Sequence, residues 1–165
     1  MSEDWQLTLL NLEADGARVL TCAERCRDYV LMETGREPDA EWVTGLFNDA
    51  PPGRGSDEIL TMGLEQPDGT LTGLLGIAPG YETTKEWYVG LLLIDPELRG
   101  GGIGTTVLRE IATLAKTSGA ESLKLSVLSN NDRGLRFWQR HGFVHVRDAP
   151  DDGDGHDRVV LQRQL

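Results

Sequence analysis

A glycine-rich segment in the middle of the chain constrains the fold more than any other feature. The apolar run Leu91–Ile94 stops at Asp95-Pro96, and Arg99 is then followed by glycines at positions 100, 101, 102 and 104. After these glycines, apolar residues return at the spacing of an amphipathic helix whose first turn is Ile103 to Thr106. The sequence therefore predicts a strand, a loop and a helix in succession.

Such a junction is suited to binding an anion. The first backbone N–H groups of a helix have no intrahelical partner, and the helix dipole is positive at that end. Because glycine has no Cβ atom, the loop backbone can adopt positive φ and approach a bulky phosphate closely. Arg99 adds a fixed positive charge. A diphosphate would fit a loop of this kind.

The residues around the glycines exclude two common phosphate loops. A Walker loop ends in Gly-Lys-Ser/Thr, but here Gly104 is followed by Thr105 with no lysine. The dinucleotide fingerprint requires a third glycine where this chain has Val107, and no run of βαβ units follows. What remains is the pattern Arg99-x-x-Gly102-x-Gly104 after a strand that ends in Asp-Pro.

That pattern resembles the acetyl-coenzyme A loop of the GNAT N-acetyltransferase superfamily. A second stretch, Ser126 to Phe143, is similar to the superfamily's other signature: a strand, Asn131, a short helix with the aromatic pair Phe137-Trp138, and then Gly-Phe. The two motifs stand in the expected order, with one helix and one strand between them. The resemblance covers Tyr88 to about Phe143, and the flanks agree only by pattern.

The resemblance implies an α/β fold of the α+β type, with a mixed, mostly antiparallel central sheet flanked by helices. The expected element order is β-α-α-β-β-β-α-β-α-β-β. At 165 residues the chain is expected to form a single domain, 1–165, with a cofactor-binding core at about 86–143. The residue patterns predict strands at 5–10, 59–65, 70–78, 86–94, 123–127, 143–147 and 158–165, and helices at 17–32, from Pro38, at 103–118 and at 132–140.

Some of these predictions concern single positions. Trp5, Leu7 and Leu9 should share one face of the first strand. Gly35 and Gly119 should each end a helix. The inward face of the central helix should consist of Val107, Leu108, Ile111, Leu114 and Ala115.

The resemblance also implies which residues hold the cosubstrate. Backbone groups of the strand before the loop would receive the pantetheine arm, and backbone N–H groups of the loop would hold the diphosphate. Asn131 would reach the pantetheine side; the alternative is that it is only the N-terminal residue of the short helix. The residues implied are Leu92, Leu93, Ile94, Arg99, Gly100, Gly101, Gly102, Ile103, Gly104, Thr105, Asn131, Phe137 and Trp138.

Acetyl transfer to an amine requires an oriented thioester, a deprotonated amine and a proton for the departing thiolate. In the family, the strand before the glycine loop splays from its neighbour. The base is often a glutamate near the start of that strand, or water held by such groups, and Glu86 and Glu82 are the carboxylates in range here. The family's aromatic pair usually ends in tyrosine, but this chain has Trp138, whose indole N–H does not release its proton at neutral pH. Water, Tyr88, Tyr81 or the substrate ammonium would then supply that proton.

The helices after the first strand form one wall of the acceptor site in the family. Tyr29, Trp42 and Phe47 are therefore candidates for substrate contact, with core packing as the alternative at each, and Tyr81 in a later loop is a fourth candidate. The loop at 49–57 is either a lip of the acceptor pocket or a plain connector. No motif identifies the amine.

The composition disfavours several classes of binding partner. The formal net charge of -11 and a sequence pI of about 4.6 disfavour nucleic acid and anionic membranes, and weakly favour a cationic substrate. Cys22 and Cys26 are predicted to be core or half-buried thiols, and the N-terminal residues resemble no signal peptide, so we expect a cytoplasmic protein. No metal is expected, because the acidic stretch 148–157 lacks the glycine phase and bidentate glutamate of a calcium loop.

The sequence thus predicts an N-acetyltransferase that moves an acetyl group from acetyl-CoA to a primary amine of an unidentified small-molecule or peptide acceptor. The amine would attack directly within a ternary complex, since the motifs contain no cysteine to carry a covalent acetyl group. The alternative is a non-catalytic acyl-CoA-binding or sensor module, which Trp138 in place of tyrosine favours. The oligomeric state stays open, a homodimer included.

Overall fold

A computed structural model describes residues 4–49, 58–151, 153 and 155–165. The chain divides into two compact units. The first unit comprises Met1–Ala78 and Gly90–Thr106, and the second comprises Pro79–Val89 and Val107–Leu165. The single domain expected from the sequence stays a prediction.

The described residues form strands and helices in the order β-α-α-α-β-β-β-α-β-α-β-β. A short 3-10 turn, Pro96–Leu98, lies between the fourth strand and the fourth helix. The elements are β1 Gln6–Leu9, α1 Leu12–Arg25, α2 Arg27–Thr34, α3 Ala40–Asn48, β2 Leu60–Glu65, β3 Leu71–Ala78, β4 Glu86–Ile94, α4 Ile103–Thr117, β5 Ser122–Leu128, α5 Asp132–Arg140, β6 Val144–Ala149 and β7 Arg158–Gln164.

The strands form one sheet in the order β1-β2-β3-β4-β5-β7-β6. Strand β4 belongs to both units, because its first residues, Glu86–Val89, lie in the second unit and the rest lies in the first. The β1–β2, β2–β3, β5–β7 and β6–β7 ladders are antiparallel. Strands β4 and β5 are parallel over Glu86↔Ser122 to Tyr88↔Lys124 and are joined by helix α4, as a parallel pair requires. The expected mixed, mostly antiparallel sheet flanked by helices is confirmed.

The core of the first unit lies where helices α1 and α3 cover strands β3 and β4. Every residue of β3 is buried, and so are both cysteines, as predicted. At Gly73 an added Cβ would lie 2.9 Å from the carbonyl oxygen of Leu93, so glycine is needed for β3 to approach β4 this closely. The buried cluster contains Leu10, Val19, Cys22, Cys26, Val43, Leu71, Leu74, Leu91 and Leu93.

The core of the second unit is built on β5, whose residues are buried except for the half-buried Ser126. Helix α4 contributes Val107, Leu108, Ile111 and Ala115, all of them buried. Leu114, which the sequence placed on the same face, is 43% exposed. Around the axis of α4, Leu114 lies at the edge of the apolar stripe, where a small rotation of the helix exposes a side chain to solvent.

The predicted helix 17–32 is two helices. Helix α1 begins earlier, at Leu12, because the Asn11 side chain accepts a hydrogen bond from the N–H of Ala14 at 3.1 Å and caps it. The helical path breaks at Cys26, whose N–H is shared between the carbonyls of Cys22 and Ala23. No glycine or proline marks this break, so it adds one helix to the predicted element order.

Two further corrections concern the N-terminal elements. Leu9 was predicted to share an apolar face, but it is 63% exposed and Leu10 is buried instead. Strand β1 is at the edge of the sheet, where burial need not follow the alternation. The helix predicted from Pro38 starts at Ala40, because Asp39 accepts the N–H of Trp42 at 2.9 Å as its N-cap. Gly35 ends α2 with φ of 73°, as predicted.

Candidate active site

The glycine loop between β4 and α4 has the backbone that the sequence predicted. Gly100 and Gly102 have φ of 84° and 88°, in the left-handed region that only glycine adopts readily. An ideal Cβ at either position would meet no atom within 4 Å, so it is the conformation and not the available space that requires glycine here. The N–H of Thr106 donates to the carbonyl of Gly102 at 3.1 Å and forms the first turn of α4.

The turn that leads into this loop is held by a buried aspartate. Asp95 is 5% exposed, and its carboxylate accepts the backbone N–H of Glu97 at 3.0 Å. Its other oxygen accepts a hydrogen bond from Nε of Arg25, at the end of α1, at 2.7 Å. Arg25 also donates to the carbonyl of Leu71, and its hydrogen bond to Asp95 raises the pKa of Arg25. The Asp-Pro pair of the motif is thus a structural corner of the loop.

Arg99, the first residue of the motif, also bonds within the protein. Its Nη1 and Nη2 donate to the two carboxylate oxygens of Asp28 on α2, at 2.5 and 3.2 Å, and its Nε donates to the carbonyl of Ile94 at 2.8 Å. Burial is the largest single influence on Arg99 and opposes its charge, but the hydrogen bond and the charge of Asp28, together with Cys26, outweigh burial, and the pKa of Arg99 is raised. The same bond lowers the pKa of Asp28.

The candidate acceptor residues Tyr29 and Trp42 meet at a carboxylate that the sequence did not single out. The hydroxyl of Tyr29 donates to one oxygen of Glu33 at 2.9 Å, and Nε1 of Trp42 donates to the other at 3.2 Å. Tyr29, Trp42 and Phe47 are partly buried and pack against the core of the first unit. Glu33 is one helical turn from Tyr29, and this spacing was the available signal.

In the second unit, Asn131 caps helix α5. Its Oδ1 accepts the N–H of Gly134 at 2.9 Å, and an added Cβ at Gly134 would lie 2.6 Å from its Nδ2. Phe137 and Trp138 form an edge-to-face pair with ring centroids 4.9 Å apart, and Trp138 packs on Phe143 at 5.2 Å. Trp138 is 9% exposed. The observed contacts are those of a helix start and a packed aromatic cluster.

The candidate bases Glu82 and Glu86 share one lysine on β5. Nζ of Lys124 lies 2.8 Å from Oε2 of Glu82 and 3.3 Å from Oε1 of Glu86. Glu86 is 5% exposed, and its Oε2 accepts hydrogen bonds from Ser122 and Gln162 at 3.1 and 2.7 Å. Its Oε1 has the nearby charge of Lys124 but no hydrogen-bond donor among the described residues.

Burial opposes the charge of Lys124. The interactions of Lys124 with Glu82 and Glu86, taken together, outweigh burial, and the pKa of Lys124 is raised. Lys124 is therefore charged at neutral pH and compensates Glu86. The side chain of Glu82 is 53% exposed, so of the two carboxylates it alone faces solvent to a large extent.

Two tyrosines accompany this cluster. The N–H of Tyr81 donates to the carbonyl of Glu86 at 2.6 Å, and the rings of Tyr81 and Tyr88 lie 4.7 Å apart at an interplanar angle of 41°. Burial raises the pKa of Tyr81, and the neighbouring Tyr88 and Glu82 add to that increase. The phenol of Tyr81 is therefore protonated at neutral pH.

The structure brings the candidate residues together in two groups. The first unit contains the strand residues Leu92, Leu93 and Ile94, the loop and the acceptor candidates. The second contains Glu82, Glu86, Tyr88, Tyr81, Asn131 and the aromatic pair. Sequence reasoning missed Asp28 and Lys124, whose roles follow from partners distant in sequence, and Glu33, whose partners Tyr29 and Trp42 are near it in sequence. Of the loop at 49–57, predicted to be either a lip of the acceptor pocket or a plain connector, residues 50–57 lie outside the described residues, as do Asp152 and Asp154 of the acidic stretch 148–157.

The mixed sheet, with a positive-φ glycine loop between β4 and α4, is the arrangement that the family resemblance implied. The family model for the acetyltransferase (GNAT) family matches residues 24–143. The chain belongs to that family. The match includes both motifs and also helices α2 and α3.

Individual relatives agree with this assignment. The chain is 31% identical over 91 residues to YwnH of Bacillus subtilis (strain 168), provisionally named a phosphinothricin acetyltransferase, and the match covers 53% of this chain and 54% of YwnH. The chain thus spans about half the length of the curated relatives it matches. No described helix has the length and apolar character needed to cross a bilayer.

Solved structures share the fold. An acetyltransferase from Thermus thermophilus superposes with a TM-score of 0.76 at 22% identity, over 98% of this chain and 97% of that one. The PaiA N-acetyltransferase from Thermoplasma acidophilum, solved in complex with coenzyme A, gives a TM-score of 0.69 at 19% identity, with complete coverage of both chains. At these identities the likeness establishes the fold.

Proposed function

We propose that this protein is an N-acetyltransferase that uses acetyl-CoA to acetylate a primary amine. The observation that carries the proposal is the glycine loop, with left-handed Gly100 and Gly102 directly before α4, inside the segment that matches the family. A loop of this shape directs backbone N–H groups at the positive end of a helix dipole toward a diphosphate.

The cosubstrate would bind mainly through the backbone. The residues Arg99 to Thr105 would hold the diphosphate, and backbone groups of Leu92, Leu93 and Ile94 would receive the pantetheine arm. This strand assignment is supported by the β4–β5 ladder, whose residue pairs end at Tyr88. Acetyl-CoA supplies the activated acyl group when it is bound. Asn131, Phe137 and Trp138 are proposed to line the pantetheine side.

The acceptor is proposed to be a cation in its resting form, as primary amines are at neutral pH. Glu33 supports this proposal because no lysine or arginine among the described residues pairs with its carboxylate, whose oxygens accept only the neutral donors Tyr29 and Trp42. A half-buried carboxylate between two aromatic side chains suits an ammonium group, through charge and through cation–π contact. Phe47 and Tyr81 are proposed as further acceptor contacts.

The reaction is proposed to proceed by direct attack. The amine nitrogen forms a bond to the thioester carbonyl carbon, the C–S bond breaks, and coenzyme A leaves as a thiolate that takes up one proton. Glu82 is the better candidate to take the proton from the ammonium, because its side chain is 53% exposed, whereas Glu86 is buried and accepts hydrogen bonds from Ser122 and Gln162. Because its pKa is raised, Tyr81 keeps its phenol proton at neutral pH, and Tyr81 and Tyr88 are both candidates to protonate the thiolate.

Calorimetric titration with acetyl-CoA, followed by thiol release with a panel of amines, tests this function. We expect binding in the micromolar to millimolar range and thiol release that depends on an amine. Failure to bind at millimolar acetyl-CoA would contradict the proposal. Binding with slow thioester hydrolysis and no transfer to any amine would favour the alternative, a non-catalytic acyl-CoA-binding module.

Three finer statements also stay proposals. The amine is carried by a small molecule or a peptide, which the panel would distinguish. The protein is cytoplasmic, which fractionation of cells would test. A homodimer is open, and light scattering of the purified chain would decide it.

A further inference from the structure

We infer that Asp28 is a positioning residue for the diphosphate loop. Its ion pair with Arg99, called the Asp28–Arg99 clamp below, holds the loop backbone, and the side chain of Arg99 does not bind phosphate. The inference rests on the proposed function, since it presumes that the loop binds coenzyme A. It goes beyond the family resemblance, which assigns Arg99 to the cosubstrate and gives Asp28 no role.

All three guanidinium nitrogens of Arg99 donate hydrogen bonds within the protein. Two guanidinium nitrogens of Arg99 meet the two oxygens of Asp28, and the third nitrogen meets the carbonyl of Ile94. Such a bidentate pair fixes both the position and the plane of the guanidinium. The side chain of Arg99 is only 17% exposed, so little of it faces solvent.

The Asp28–Arg99 pair holds the end of a short turn, and a second ion pair, Arg25–Asp95, holds its beginning. Residues 95 and 99 bracket the 3-10 turn Pro96–Leu98. Asp95 is bound by Arg25, the last residue of α1, and Arg99 is bound by Asp28, near the start of α2. The break at Cys26 separates these two helices. Two residues from the α1–α2 junction therefore fix the start of the loop whose next residues are the left-handed glycines.

The two roles of Arg99 predict opposite effects when Asp28 is changed. If Arg99 is a phosphate ligand that Asp28 restrains, removing the carboxylate frees the guanidinium and strengthens coenzyme A binding. If the clamp orders the loop backbone, removing the carboxylate lets the loop fluctuate and weakens binding, because ordering the loop must then be done by the ligand. The sign of the change decides between them.

The experiment is calorimetric titration of the full chain with coenzyme A and, in parallel, with S-acetylpantetheine, which lacks the diphosphate. We expect Asp28→Asn to weaken coenzyme A binding about tenfold, the effect of one lost charged hydrogen bond, and to leave S-acetylpantetheine binding unchanged. The matched control is Glu37→Gln, which also removes a carboxylate that pairs with an arginine of α2, Arg27, but on the exposed surface. It should leave both affinities unchanged.

Arg99→Lys is the second variant and does not depend on the folding of Asp28→Asn. It keeps the charge and loses the fork, so it should weaken coenzyme A binding about as much as Asp28→Asn. Unchanged or tighter coenzyme A binding by Asp28→Asn, or near-normal binding by Arg99→Lys, would overturn the inference. So would an equal loss for both ligands. Lack of coenzyme A binding by the unaltered protein would instead contradict the proposed function.

Discussion

The two ends of strand β4 carry charges that are arranged in contrasting ways. Beyond its carboxyl end, two arginines each meet one aspartate, and these pairs bracket a turn that leads into an exposed glycine loop. At its amino end, one lysine is shared by two glutamates, and Glu86 is buried with Lys124 against it. The first arrangement holds a backbone conformation, whereas the second compensates a charge in the interior. We therefore expect substitutions at the first end to alter ligand affinity and those at the second to alter stability.

The largest effect is expected at the amino end. Lys124→Met leaves the buried carboxylate of Glu86 without a cation, and we expect it to lower the free energy of unfolding by about 3 kcal/mol, the usual cost of breaking a buried pair. Urea unfolding at pH 7 measures the change. The double variant Lys124→Met/Glu86→Gln should recover most of the loss, because it removes the uncompensated charge.

The control for this prediction is Lys85→Met. Lys85 pairs with Glu121 at 3.1 Å, but both side chains are about two-thirds exposed, at 64% and 66%. An exposed pair contributes less than about 1 kcal/mol. Equal losses for the two lysine variants would show that Lys124 is not a buried compensating charge.

At the carboxyl end, Gly102→Val should weaken acetyl-CoA binding. Valine strongly disfavours φ of 88°, and a strain on the order of 2 kcal/mol in the loop corresponds to about a 30-fold loss of affinity. Calorimetric titration of the folded variant measures it. Normal binding would mean that this segment does not bind the cosubstrate.

Gly119→Val is the matched control for Gly102→Val. Gly119 has φ of 96°, and an added Cβ there would also meet no atom within 4 Å, but the residue follows α4 and not the loop. The two variants should lose similar stability, and only Gly102→Val should lose affinity.

A smaller effect is expected for Glu33→Gln, which keeps the shape of the side chain and removes its charge. If Glu33 attracts the acceptor ammonium, KM for the amine should rise about three- to tenfold with little change in kcat. Glu41→Gln on α3, whose side chain is 80% exposed, should leave both constants unchanged. A fall in kcat without a change in KM would contradict a binding role.

The smallest effect is a pH dependence of the Asp28–Arg99 clamp. Because Arg99 lowers the pKa of Asp28, the pair stabilises the folded state above the ordinary aspartate pKa, about 3.9, and that stabilisation is lost as pH falls through the lower folded pKa. The difference in free energy of unfolding between the unaltered protein and Asp28→Asn should thus be constant from about pH 5 to 8 and shrink below about pH 4. Urea unfolding across this range measures it, and a difference that persists at pH 2 would contradict the assignment.

Prediction from sequence was accurate where neighbouring residues determine the structure. The bounds of β4 and α5 agree with the expected ranges, and the glycines at 100 and 102 have the positive φ that the loop required. Apolar periodicity, proline and glycine act over a few residues, so they are readable without the fold. The family motifs lie in these same segments.

Other predictions were wrong because distant residues decide them. The break at Cys26 has no local signal, and the exposure of Leu9 and Leu114 depends on what covers each face. The expected role of the Arg99 side chain in supplying charge to a phosphate stays a prediction; what the sequence did not indicate is its bond to Asp28, 71 positions earlier in the chain.

By itself, the sequence of this protein determined the strand–loop–helix junction, the family resemblance and the loop residues, because these depend on backbone conformations that glycine, proline and short-range apolar spacing specify. Only the tertiary structure decided which charges meet: Asp28 with Arg99, Arg25 with Asp95, and Lys124 with both glutamates. The physical reason is that an ion pair depends on the distance between two side chains, and for residues far apart in sequence only the folded chain sets that distance.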